Sequence, residues 1–206
     1  MNVFKEMMYI LMHPINGFED MKQYKTGSLY AAGIVSLLWF FASLVHTQYT
    51  SPWFNANDTE KTNILLIFVS TVVLYIFFTI SNWSICTLFD GEGSYIEIVI
   101  VTAYSLIPYV VSLFAVSIFS YFLSLDEYMF INVITSVGLL YSVIMLMIGM
   151  IQIHQYNFIR MGFALIVSVI GVFLILFLSF LMLMLIREII EFFRTITNEL
   201  LMRSVV

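Results

Sequence analysis

The residues with the most chemical potential in this chain fall in three places. The first is Asp90-Gly91-Glu92-Gly93-Ser94, followed by Glu97. Two glycines within three residues make a tight turn that tolerates positive φ, and the carboxylates project from it. Part of this has a plain structural explanation. Ser94 and Glu97 have the Ser-x-x-Glu spacing of a capping box, which starts a helix by satisfying its free amides. The second place is the polar run Gln152, His154, Gln155, Tyr156, Asn157 and Arg160. If this run shares a membrane face with Asp90, Glu92 and His13, then carboxylates, two histidines and an arginine meet there. An interfacial ion-pair network is the simple result. A proton or cation site is the sharper one, because histidine beside carboxylates titrates near neutral pH. No HxxxH or HExxH spacing occurs, so no metal centre is expected.

The third place is a polar stripe. Thr102, Ser105, Tyr109 and Ser112 follow one another at spacings of 3, 4 and 3, which is one face of a helix. Asn132, Thr135 and Ser142 lie at compatible spacing further on, and Ser81, Asn82 and Ser84 lie earlier. Within a membrane such hydroxyls commonly join helices, at about 0.6 kcal/mol per hydrogen bond. The alternative is a polar path between the second, third and fourth spans. No Asp, Glu, Lys or Arg lies deep in any span, which favours packing over ion coupling. There is no G-x-S-x-G, P-loop or dinucleotide fingerprint, so neither a catalytic residue nor a cofactor is expected.

The elements that hold these residues are dictated by hydropathy. Of the 206 residues 62% are hydrophobic and 10% charged, against about 25% charged in an ordinary soluble domain. An aqueous fold of this size leaves too much surface wet to hide that excess, so the bilayer must be the solvent. The net charge of −5 offers no basic stripe for nucleic acid. The single cysteine, Cys86, excludes an internal disulfide.

Charged residues divide the chain into five windows long enough for a span of roughly 20 residues. The expected spans are Ser28 to His46, Asn63 to Leu88, the window from Glu97 to Asp126 interrupted by Pro108, Phe130 to Ile151, and Phe163 to Ile186. Each must be a helix, because open strands leave backbone groups unpaired in hydrocarbon. The expected fold is an all-α integral membrane bundle of five transmembrane helices with short interfacial helices at both ends. Residues 1–206 form one domain: an interfacial segment 1–27, the bundle 28–186 and an amphipathic tail 187–206. With the amino terminus inside, lysines and arginines divide four against four, and Lys22 and Lys25 just before the first span favour a cytoplasmic amino terminus. Asn57-Asp58-Thr59 is a glycosylation sequon that matters only in a secretory host.

Several of these residues together resemble a known family. His13-Pro14 with Phe18 and Lys22 precedes the first span. Trp83-Ser84-Ile85-Cys86 leads to Leu88-Phe89-Asp90-Gly91-Glu92-Gly93-Ser94, then Ala103-Tyr104-Ser105-Leu106-Ile107-Pro108, and His154 follows the fourth span. This pattern is similar to the Yip domain family (Ypt/Rab-interacting proteins), in its bacterial branch. Gly91, Gly93, Tyr104 and Pro108 are the motif positions. The resemblance implies a five-helix bundle with a cytoplasmic amino terminus, placed here in a bacterial cytoplasmic membrane. Eukaryotic relatives bind Rab-type GTPases, but the long cytoplasmic amino-terminal region of those relatives has no counterpart here, so GTPase binding is not expected. The expected role is a non-enzymatic accessory in assembly or transport, with the lipid bilayer, other membrane proteins (a transport system among them) or further copies of itself as partners. The alternative is a small channel or transporter.

Overall fold

The computed structural model describes residues 3–54 and 62–204, with side chains through 198 in the last helix. The sequon and the loop charges Asp58, Glu60 and Lys61 lie outside the described residues. Besides a single 3-10 turn at Leu125–Glu127, the described residues form seven helices: α1 (Val3–Met12), α2 (Pro14–Tyr24), α3 (Leu29–Tyr49), α4 (Ile64–Leu88), α5 (Tyr95–Phe119), α6 (Tyr128–His154) and α7 (Phe158–Ser204). Among the described residues five helices are long and apolar enough to cross a membrane, α3 through α7. The fold is an all-α membrane bundle, as hydropathy requires.

Four of the five long helices, α3, α4, α5 and α7, begin where a side chain satisfies a free amide. Ser28 Oγ accepts from Ala31 N–H at 3.3 Å, and Asn63 Oδ1 accepts from Leu66 N–H at 3.2 Å. Asn157 Oδ1 accepts from Arg160 N–H at 2.8 Å. The Ser94–Glu97 capping box is formed in both directions, with Glu97 N–H donating to Ser94 Oγ at 3.4 Å and Ser94 N–H to Glu97 Oε2 at 2.8 Å. Inside α4, Val69–Val73 winds as a π-helical segment, where the Thr71 hydroxyl takes the Ile67 carbonyl at 2.7 Å.

Helix α5 runs unbroken through Pro108. The ring removes one amide and strains the turn around it. Tyr109 N–H, next in the chain, donates instead to Ser142 Oγ on α6 at 3.0 Å. Gly138 lets α6 come close at this point: a Cβ there would overlap the Ser112 side chain and lie 3.1 Å from the Pro108 carbonyl. Ser142 therefore stitches α6 to α5 beside the proline, and Ser112 packs into the space that Gly138 leaves.

Helix α5 is the centre of the bundle, with 56% of its best apolar window buried, against none for α7. It packs on α6 and α3, while α7 packs mainly on α4. That second seam is polar: Ser81 Oγ donates to the Ser168 carbonyl at 2.7 Å and Asn82 Nδ2 to Ser168 Oγ at 3.1 Å.

The amino-terminal pair reaches deeper than a resting place among headgroups requires. The α1–α2 corner closes over Gly17, where a Cβ would lie 2.7 Å from Ile10 Cα. Phe18 is fully buried against Gly149, and Lys22 lies at the end of α6. Tyr141 OH, midway along α6, donates to the Leu11 carbonyl at 2.5 Å. The hairpin therefore descends along α6 to about half its length. On α2, Phe18 and Met21 are buried, whereas Ile15, at helical spacing from them, is exposed.

Candidate functional site

Helix α4 ends in a Schellman-type turn. Gly91 N–H returns to the Cys86 carbonyl at 2.8 Å, and the residue between cap and glycine is left-handed. That residue is Asp90, with φ 56°, and no described glycine has positive φ. The glycines of this turn are thus needed for space and not for conformation. A Cβ on Gly91 would sit 2.6 Å from His154 Nδ1 and 2.8 Å from Tyr156 OH. On Gly93 it would sit 2.8 Å from His154 Cε1. The turn is moulded on the His154 ring.

His154 closes α6 and is fully buried. Gly93 N–H donates to its Nδ1 at 3.3 Å, so the neutral ring carries its proton on Nε2. Nε2 is buried and has no partner. Tyr156 stacks on His154 with centroids 5.5 Å apart. Its hydroxyl lies 2.7 Å from the Phe89 carbonyl and 3.0 Å from that of Cys86, donating to the pair. Burial pushes the Tyr156 phenol above its ordinary pKa. The Arg160 guanidinium stands 4.4 Å from the Tyr156 ring centroid and also donates to the Phe89 carbonyl. Tyr156 and Arg160 thereby satisfy carbonyls at the negative end of α4.

From the other side, Lys22 on α2 donates to the Ile153 carbonyl at 2.8 Å and pairs with Glu92 at 2.9 Å. Lysine over the last carbonyls of a helix matches the helix dipole. The Glu92 side chain is 65% exposed, so this pair is a modest tie in energy.

The structure brings Gly91, Glu92, Gly93, His154 and Arg160 to one corner. Asp90 sits exposed at its edge, and Glu97 is held back by its capping role. His13 is not part of the corner: it is exposed and stacked on Tyr9 at 5.2 Å. Of the stripe, Thr102, Ser105 and Ser112 are buried on α5, Ser112 beside Gly138, and Tyr109 is half-buried. Asn132 is exposed, six residues before Gly138 toward the far end of α6. Tyr104 OH accepts the Ser28 amide at 3.3 Å, joining α5 to the start of α3. Among the described residues, no group of three or more His, Cys, Asp or Glu side chains is placed to hold a metal ion.

Sequence reasoning passed over three residues of importance. Glu6, on α1, is only 4% exposed, and its Oε1 has no partner. Its signal was a lone acid in an apolar helix. Lys22 was read as a topogenic charge and as part of the family pattern, with no partner assigned, and Tyr156 only as one of a polar run.

Chemically the corner is a brace. It fixes the relative positions of α2, α4, α6 and α7, and it presents Asp90 and Glu92 to the surface. Against known proteins, a family model described as the Yip1 domain matches residues 8–180. No curated protein and no solved structure matches.

Proposed function

The chain belongs to the Yip1 domain family, and on that premise we propose that it is a non-enzymatic accessory in membrane assembly or transport, acting by binding partner membrane proteins or lipids. The observation that carries this reading is the carboxy-terminal half of α7. A helix of 47 residues extends about 70 Å at 1.5 Å per residue, more than twice the roughly 30 Å hydrocarbon core. Its first turns are tied to α4 through Ser168. Every residue from Leu181 to Asn198 is exposed, including Ile189, Ile190, Phe192, Phe193 and Ile196. An apolar helix face of that length has no partner within the described chain, and a second protein or a lipid surface is what would cover it.

The space enclosed between α4, α5, α6 and α7 is walled almost wholly by carbon, which supports this reading over a polar conduction path. The same reading sets the amino terminus and the Asp90/Glu92/His154 corner on the cytoplasmic side of a bacterial membrane. The test is affinity recovery of the full chain from mild detergent, beside a chain ending at Ile186. A defined membrane partner that is lost with the shortened chain is the expected result. A clean monomer without partner from both preparations would overturn the reading.

A further inference from the structure

Helices α6 and α7 make few contacts with each other. Between them, with α4 and α5 as its floor, lies a cavity of about 410 Å³. That volume is within the range of about 300–1,000 Å³ typical of small-molecule sites. Its wall is almost wholly carbon, supplied by Trp39, Phe78, Leu106, Leu139, Val143 and Phe173 among others. Leu139, Val143 and Phe173 are exposed, so the cavity opens sideways between α6 and α7.

Ser105 also lines it. It lies ten residues after the start of α5, about 15 Å along the helix and so near the middle of a roughly 30 Å core. The other serine and threonine hydroxyls of α5 turn back to a carbonyl: Thr102 to Ile98, Ser112 to Tyr109 and Ser117 to Leu113. Ser105 does not. It is 2% exposed, and its Oγ is buried without a partner. The other polar lining groups are occupied, Tyr75 OH by the Val99 carbonyl and Ser142 Oγ by Tyr109 N–H.

We propose that this cavity is a binding site for a long-chain neutral lipid bearing one uncharged oxygen, an alcohol or a carbonyl, which the Ser105 hydroxyl engages. A cavity walled by carbon does not hold water, and left empty it forfeits dispersion contacts along its whole wall. A hydrocarbon chain entering from the bilayer restores them. An ordinary phospholipid chain fills the space but leaves Ser105 unpaired, because its ester oxygens are held at the headgroup level. A lipid whose single oxygen is uncharged brings it to that depth at a far smaller desolvation cost than a charged headgroup would, and the hydrogen bond to Ser105 offsets that cost. The inference names a ligand for the lipid-binding part of the function proposed above. It rests on that function only in taking the bundle to be embedded in a membrane.

The test uses Trp39, which lines the cavity, as the sole tryptophan in a full-length chain carrying Trp53→Phe and Trp83→Phe. The protein is placed in dioleoylphosphatidylcholine vesicles, and octadecanol brominated at mid-chain is titrated in. The expected result is saturable quenching of Trp39, competed by unlabelled octadecanol. Ser105→Ala raises the half-saturation about two- to tenfold, as loss of one hydrogen bond requires. Leu139→Phe with Val143→Phe fills the cavity and removes the saturable component. Helical circular dichroism and bromolipid quenching of a lipid-facing Trp83-only chain verify that each variant is folded. Quenching that rises linearly without saturation, quenching by brominated phosphatidylcholine acyl chains that octadecanol does not displace, or indifference to Ser105→Ala would each overturn the proposal. None of these outcomes depends on whether a partner protein is recovered.

Discussion

Gly93→Ala is the most direct probe of the corner, because the structure names what the new methyl would meet. The added Cβ would lie 2.8 Å from His154 Cε1 and 2.9 Å from its Nδ1. Overpacking of this kind costs about 1–3 kcal/mol. The ring is held by its stack on Tyr156, so yielding also disturbs the Gly93 N–H to Nδ1 bond, worth about 0.5–1.5 kcal/mol. The expected loss is therefore about 2–4 kcal/mol. His154→Ala alone should be destabilising as well, since it opens a cavity and leaves the Gly93 amide unpaired. In the double variant the methyl enters the space the ring has left. The two losses should then fall short of additivity by about 1–3 kcal/mol, the range for residues in contact. The assay is reversible unfolding in mixed micelles, read by circular dichroism and by maleimide labelling of Cys86, which is buried beside the corner. Gly33→Ala is the control. Nothing lies within 4 Å of its Cβ position, so it should be neutral or stabilising by up to about 1 kcal/mol. Strict additivity of Gly93→Ala and His154→Ala would refute the view that the glycine exists to admit the ring.

Other perturbations test the remaining seams. Tyr156→Phe keeps the ring under Arg160 and removes the hydroxyl, so it should cost about 0.5–1.5 kcal/mol in the same unfolding assay. The raised Tyr156 pKa means that its neutral form is favoured in the folded state. Its contribution is fully present below the unfolded value near 10 and is lost as pH rises beyond it, a decline above pH 10 that Tyr156→Phe should reduce. Ser168→Ala severs the link to Asn82 and should loosen α7 from α4 by about 0.6 kcal/mol and at most about 1.7, with Gly171→Ala more damaging because its methyl meets Ser81 Oγ. Single cysteines at Ser94 and Asn157, in a chain lacking Cys86, should resist an impermeant reagent in intact cells, whereas one at Ser204 should label; the reverse pattern would place the corner outside.

Much of the architecture was legible before any coordinates, and for a definite reason. Span length is set by bilayer thickness, and hydropathy along the chain is a local sum, so α3 to α7 follow from where the charges stop. Caps are local too: Ser94 with Glu97 needed only their spacing of three. The partners of those elements were not legible. Each span is apolar nearly all round, so its sequence leaves its rotation about its own axis undetermined. Only packing placed Ser105 at the cavity wall with its hydroxyl unpartnered while Thr102, three residues earlier, bonded back to Ile98. Only packing set His154 against Gly91 and Gly93, some sixty residues away in sequence, and carried Lys22 to the Ile153 carbonyl. The glycines illustrate the division. The sequence located a turn, but the left-handed residue is Asp90, and the glycines are required because an imidazole from another helix occupies the space their side chains would need.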